Sequence, residues 1–279
     1  MKLEDLYIDL VDNTPRSAKP SWPIYVPSKG RSDYCKTIDH FIFDGIPANL
    51  VVEPQDEEAY VSVYGDEPLV TILVLPENDQ GISFVRNFIK DHSESNGYLY
   101  SWTIDDNIMH FRQRLDGKNV KTTPGWMMHI VEVIMETYTN IGGIGFIHDM
   151  FAFTKKTDVE LNKQIYSCVL LRHNIDCRYR DETVEDTDYS LQLLTTGLCT
   201  ILLNRFIISK PATMKVKGGN TDTEYAGDGR LKRSLGLQTQ WPEAKFKITE
   251  QYGRVKIKPS KIWSSFRQVP KLPTDIELF

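Results

Sequence analysis

Long apolar runs are missing from this 279-residue chain: VTILVL, Val70 to Leu75, is among the longest and is far too short to span a bilayer. The opening MKLEDLYIDL is acidic and lacks a basic-then-apolar leader pattern, so a soluble, cytoplasmic protein with no membrane partner is expected. Cysteine is sparse. Cys35, Cys168, Cys177 and Cys199 form no CxxC pair, and Cys168 and Cys199 lie inside apolar stretches, which excludes a zinc site or a disulfide framework and reads these two as small buried thiols. Internal repeats and low-complexity tracts are absent, so solenoids and fibrous classes are excluded. The GxxxxGKS/T phosphate loop is absent too.

What is present is enough apolar content, 41%, to bury a substantial core in one large domain or one domain with an appendage. Charge is unevenly placed. Residues 1 to 204 hold 18 Lys and Arg against 31 Asp and Glu, a balance of −13, whereas residues 205 to 279 hold 15 against 7, a balance of +8, which together give −5. A basic rear segment suits a polyanion, either nucleic acid or a diphosphate, and equally suits a solvated Lys-rich surface.

Residues 1 to 20, with the breaker-rich DNTPRSAKP, read as an N-terminal arm. WPIYVP, Asn49 to Val52 and Val70 to Leu75 read as buried strands, and GISFVRNFIKDHSES, with Ile82, Val85, Phe88 and Ile89 at helical spacing, as an amphipathic helix. A strand then ends in WTIDD. Trp126 to Tyr138 reads as a second helix, started by the PG before it. Phe146 to Thr154 and Tyr166 to Leu171 read as strands, EDTDYSLQLLTTG as a helix from Asp186 to Gly197, and CTILLNRFII as a last strand. Strands alternating with helices imply an α/β fold whose sheet is mostly parallel, with late antiparallel members. Residues 21 to 209 would form the main domain. From 210 to 279 the chain would supply a Gly-rich loop and a basic segment packed on the same domain.

In such folds ligands bind beyond the carboxyl ends of the strands. Three strand ends carry unusual residues. Pro27, Ser28, Lys29, Gly30 and Arg31 combine a hydroxyl, two cations and a flexible backbone, which suits a nucleotide or an ordinary polar turn. In WTIDDNI, Asp105 and Asn107 share one side of an extended backbone, so Asp105, Asp106 and Asn107 offer oxygen ligands to Mn2+ or Mg2+; helix capping or a solvated turn is the alternative. Two adjacent carboxylates repel, and partial burial raises the cost unless a cation compensates. In Glu185-Asp186-Thr187-Asp188 the acids either favour a helix start through its dipole or supply a general base, and both can hold together.

These motifs, in this order, resemble those of nucleotide-sugar glycosyltransferases of the GT-A fold. PSKGR, IDDN and EDTDYSLQLLTTG together are similar to phage DNA-base glycosyltransferases of the TET-associated group, over about residues 22 to 205. The resemblance implies a GT-A-like, Rossmann-like mixed sheet flanked by helices, with a basic C-terminal extension. It implies Ser28, Lys29 and Arg31 at the nucleotide of a UDP-sugar, UDP-glucose above all, with Asp105, Asp106 and Asn107 around metal and ribose. Asp186, beside Glu185, would be the base of an inverting displacement. Asn107 departs from a strict DxD and contributes no charge. Double-stranded DNA bearing hydroxymethylcytosine or its glucosylated form would be the acceptor, in the host-cell cytoplasm if the chain is phage-encoded.

Lys215 and Lys217, with Gly218 and Gly219, would close over the diphosphate. His173 and Asn174, after the Tyr166 to Leu171 strand, would meet the acceptor, a structural histidine being the alternative; His148 and Asp149 raise the same question. In the tail, Arg230, Arg233 and the lysines around Trp241, Phe246 and Tyr252 would contact phosphates and stack on an extruded base, unless they protect an edge strand. Three rivals stand beside this reading. They are a GT-A glycosyltransferase with a non-DNA acceptor, a nucleotidyltransferase, for which SKGR is too short a phosphate loop, and a non-catalytic nucleic-acid-binding protein.

Overall fold

A computed structural model describes residues 2–211, 228–251, 254–258 and 261–273. Lys215, Lys217, Gly218, Gly219 and Tyr252 lie outside the described residues. One ten-stranded mixed sheet organises the chain, in the order β3-β2-β1-β4-β9-β7-β10-β5-β6 with β8 also on β10. Its strands are β1 (Ile24–Pro27), β2 (Ala48–Val52), β3 (Val70–Val74), β4 (Tyr100–Ile104), β5 (His110–Leu115), β6 (Lys118–Lys121), β7 (Ile141–His148), β8 (Val159–Leu161), β9 (Cys168–Arg172) and β10 (Cys199–Ser209). β1 to β4, β7, β10 and β6 run one way; β9, β5 and β8 run against them. The expected α/β frame with a mixed, mostly co-directional sheet is therefore present.

Helices α1 (Leu3–Asn13), α2 (Lys36–Asp44), α3 (Glu57–Tyr64), α4 (Gly81–Ser95), α5 (Pro124–Thr137), α6 (Asp149–Ala152) and α7 (Glu185–Thr195) join the strands. α5 is buried along nearly its whole length, with Trp126, Met127, Ile130, Val131 and Ile134 fully inaccessible, which suits a helix that is apolar on most of its circumference. The N-terminal segment does not form an arm over its first half. Leu3, Leu6, Tyr7 and Val11 recur at helical spacing, and α1 buries them in the same core as α5.

The strand expected at Phe146 to Thr154 runs earlier, through Ile141-Gly142-Gly143, and gives way to α6. Glycine is needed there for close approach: a Cβ on Gly143 would sit 2.5 Å from Ile165 Cδ1 and 2.9 Å from Leu171 Cδ2. The tail adds α8 (Gly229–Gln240) and an antiparallel pair, β11 (Lys247–Gln251) with β12 (Arg254–Lys258). Trp241 and Phe246 pack around Leu191 and Leu237 as a satellite core, so these two rings are not free to stack on a base. The chain past this hairpin returns to the sheet, where Lys271 N donates to Asn140 Oδ1 at 2.7 Å. Among the described residues no helix is long and apolar enough to cross a membrane.

Candidate donor site at the strand ends

The carboxyl ends of β1, β4, β7 and β10 share one edge of the sheet, and the loop entering the reversed strand β9 joins them there. Ser28 follows β1 directly. Its Oγ donates to Asp106 Oδ2 at 2.7 Å and lies 2.6 Å from Tyr60 OH, while Arg31 Nη1 donates to Asp106 Oδ1 at 2.8 Å. Asp106 is thus 4% exposed with both oxygens satisfied from within the chain. Burial raises its carboxyl above the ordinary value, against the pull of Arg31 and Ser28. Lys29 reaches sideways to Glu53 at 2.9 Å and Asp79 at 2.5 Å, and Gly30, at φ 60°, gives its N–H to Asp56 Oδ2 at 2.8 Å. The PSKGR loop and the IDDN loop are therefore brought together as expected, but latched to one another.

Asp105 points to different partners. Lys210, the residue after β10, places Nζ 2.5 Å from Asp105 Oδ2 and donates to Ser167 Oγ at 2.8 Å; Arg86 Nη2, from α4, lies 3.9 Å from Oδ1. Burial acts to raise Asp105, yet Lys210 and Arg86 hold it below the ordinary carboxylate value, so it is ionised at neutral pH. The cations that compensate the paired aspartates thus come from the chain itself: Arg31 for Asp106, Lys210 and Arg86 for Asp105.

The fit of a hard divalent ion turns on the oxygens left over. Asp106 has none. Asp105 Oδ1 faces Arg86 at 3.9 Å, and Asn107 Oδ1 is buried with no hydrogen-bond partner among the described residues. Among the described residues no three His, Cys, Asp or Glu side chains cluster as a metal cage. Asp105 and Asn107 therefore fit an ion that takes two protein oxygens and draws its remaining ligands from phosphate and water, a habit of Mg2+.

The acids of α7 divide cleanly. Asp188 is fully buried and accepts from Arg180 Nε at 2.9 Å and Trp241 Nε1 at 2.7 Å, which ties α7 to the tail. Glu185 is held by Arg86 Nη1 at 3.2 Å and by Arg233, whose guanidinium also donates to Thr183 O at 2.7 Å. Asp186 bonds to Arg86 and keeps a side chain 24% exposed. Burial is the largest influence on it; Arg86 opposes, Glu185 and Asp105 reinforce, and its carboxyl is pushed up to about 7.

Several expected contacts fall elsewhere. Arg233 is 8% exposed on α8 and paired with Glu185, and Arg230 is half-buried in the first turn of that helix. His173 and Asn174 lie at the opposite edge of the sheet, because β9 runs against β4, pairing Arg172 with Tyr100 and Cys168 with Ile104. His173 is buried there, its Nε2 2.7 Å from Ser101 Oγ, and Asn174 N donates to Glu94 at 2.9 Å. His148, by contrast, ends β7 at the site edge, buried, with Nδ1 2.9 Å from Asp149 Oδ1.

Arg86 and Lys210 were not singled out by sequence. Lys210 follows IIS at a strand end, the same signal that marked PSKGR. Arg86 is hidden inside an amphipathic helix and is 6% exposed.

A family model described as TET-associated glycosyltransferase matches residues 22–219. No curated protein matches by sequence. Solved structures that match include A197 from STIV, 10% identical over 68% of this chain and 84% of that one at a TM-score of 0.40. GalNAc-T7, solved with UDP, GalNAc and Mn2+, is 8% identical over 69% of this chain and 44% of that one, at a TM-score of 0.43.

Proposed function

The chain belongs to the TET-associated glycosyltransferase family, and on that premise we propose that it moves glucose from UDP-glucose to a modified cytosine in double-stranded DNA, hydroxymethylcytosine or its glucosylated form. The observation that carries the mechanism is the partial exposure of Asp186. Of the three acids opening α7, Glu185 and Asp188 are buried and held by Arg86, Arg233, Arg180 and Trp241, whereas Asp186, paired with Arg86, keeps a side chain 24% exposed and a carboxyl raised toward neutrality. A base with a pKa near the working pH is both ionised and strong enough to take a proton.

In this reading Asp186 accepts the proton of the acceptor hydroxyl as that oxygen bonds to the anomeric carbon. The bond from that carbon to the diphosphate oxygen breaks on the opposite face, so configuration inverts and UDP leaves. Lys210 and Arg86 provide fixed positive charge beside Asp105, where charge grows on the leaving diphosphate. Ser28, Lys29, Gly30 and Arg31 border the nucleotide, with Arg31 and Ser28 acting by holding the IDDN loop in place. Asp105 and Asn107 would hold Mn2+ or Mg2+, which when bound neutralises diphosphate charge. Lys215 and Lys217 stay in the proposal as a closing loop.

The test is a substrate panel. Purified protein with UDP-glucose and Mn2+ is offered duplexes carrying cytosine, hydroxymethylcytosine or glucosylated hydroxymethylcytosine, and label in the modified duplexes is expected. Label in a lipid or a free sugar, and in none of the duplexes, would overturn the DNA acceptor. Equal loss of transfer and donor binding in Asp186→Asn would reassign Asp186 to structure.

A further inference from the structure

Away from Asp186, a cavity of about 550 Å3 opens between α2, the β5–β6 hairpin and the start of α5. That size lies within the range of small-molecule and nucleotide pockets. One wall is polar and incompletely satisfied. Gln113, 1% exposed, accepts from Arg16 Nη2 at 3.0 Å through Oε1, but its Nε2 is buried with no hydrogen-bond partner, as is Thr123 Oγ1. The Gln113 amide is thus held on one side by Arg16 and left without a partner among the described residues on the other.

The charge around this wall is positive. Arg16 lies 3.6 Å over the Trp126 ring and donates to Thr122 Oγ1 at 3.2 Å, and neither it nor Lys121 has a carboxylate partner among the described residues. Among the described residues the lining holds one acid, Asp44, which is already taken by Lys19 at 2.5 Å and Gly125 N at 2.9 Å. Phe43, 91% exposed, supplies a ring at the rim. A guanidinium and an ammonium without counter-charge, beside an exposed aromatic face, together suit an anion joined to a flat ring.

The cavity is linked to the donor site through one strand pair. His110, in its lining, pairs across the sheet with Ser209, and the next residue is the Lys210 that holds Asp105. We propose that this groove is a subsite for a nucleotide of the acceptor strand flanking the base to be glycosylated. Arg16 and Lys121 hold its phosphate and Phe43 stacks on the base. The proposal rests on the DNA-acceptor reading above and adds the place where the strand is gripped.

Phe43→Ala and Lys121→Ala remove exposed side chains and leave the fold and the donor residues in place. Binding of a labelled hydroxymethylcytosine duplex is followed by anisotropy across a salt series, alongside UDP binding and transfer by the unsubstituted chain. Each variant is expected to weaken duplex binding roughly 10-fold, with UDP affinity unchanged, and Lys121→Ala to reduce the salt slope by about 1. Unchanged duplex affinity in both variants overturns the subsite, as does tight filling of the groove by free deoxycytidine monophosphate that leaves duplex binding untouched. Weakened binding in the variants together with no transfer by the unsubstituted chain would keep the subsite and retire the transfer reading. An unsubstituted chain that binds no duplex overturns both.

Discussion

Arg31 and Asp106, 75 residues apart in the chain, meet at 2.8 Å as a buried ion pair that fastens the loop after β1 to the loop after β4. Ser28 completes the latch through the second carboxylate oxygen. A carboxylate that reads in sequence as a ligand is, in the fold, the clasp between two ligand-bearing loops.

Removing one partner of a buried pair strands the other. Asp106→Ala is therefore expected to cost about 3–5 kcal/mol of stability, read as a fall in thermal midpoint without any donor present. Asp105→Ala, whose side chain is 25% exposed, should cost distinctly less. A normal midpoint in Asp106→Ala combined with lost donor affinity would return Asp106 to the donor site.

Asn107 has no hydrogen bond through Oδ1 to lose. Asn107→Ala should leave the thermal midpoint within about 1 kcal/mol of the parent while weakening Mn2+ binding, measured by direct titration, by about 10-fold or more. Unaltered metal affinity would remove Asn107 from the ligand set.

Activity should follow the ionisation of Asp186. With its carboxyl near 7, kcat/KM rises with pH through neutrality as the base loses its proton. Glu185→Gln deletes a neighbouring negative charge that raises Asp186, so the rising limb should move to lower pH. Asp186→Asn should reduce turnover by about 100-fold or more while UDP binding persists.

Glu132 offers a stability test away from the site. It is 2% exposed and accepts from Ser21 N at 2.6 Å, Trp22 N at 3.1 Å and Trp102 Nε1 at 2.9 Å, yet burial outweighs these bonds and lifts its carboxyl to about 7 from 4.5. The folded chain then binds a proton that the unfolded chain has released, so this contribution is present at low pH and is lost as pH rises from 4.5 through about 7. It amounts to at most about 3 kcal/mol. Thermal midpoints across that window should decline in the parent and flatten in Glu132→Gln.

Much of the frame was legible because it is written in apolar periodicity: α4 from Ile82, Val85, Phe88 and Ile89, α5 from Met127 through Ile134, and β10 from two short apolar runs, Ile201 to Leu203 and Phe206 to Ile208, on either side of Asn204 and Arg205. The β5–β6 hairpin was missed because HFRQRLDGKNVK is largely polar, although Asp116-Gly117, both at positive φ, carried a turn signal. Strand direction has no local signature. His173 and Asn174 were placed by the acceptor because they follow a strand, whereas the reversal of β9 brings Ser167, before that strand, to the ligand edge instead. The strand-end motifs themselves converge, but the partners that decide which acid is latched and which is free, Arg86 and Lys210, come from segments whose placement only the fold determines.

The 11-residue β10 is hydrogen-bonded to β7, β5 and β8 and ten of its residues are buried, so its amides should be among the last to exchange with solvent deuterium. Lys210 follows immediately. During local opening the ammonium beside Asp105 is therefore anchored to one of the slowest-breathing strands, while the IDDN loop is held by its clasps to Arg31 and Ser28 and by bonds to Thr37 and Ser167. Fluctuations of the site should therefore enter through its loops, with the lysine staying beside its strand.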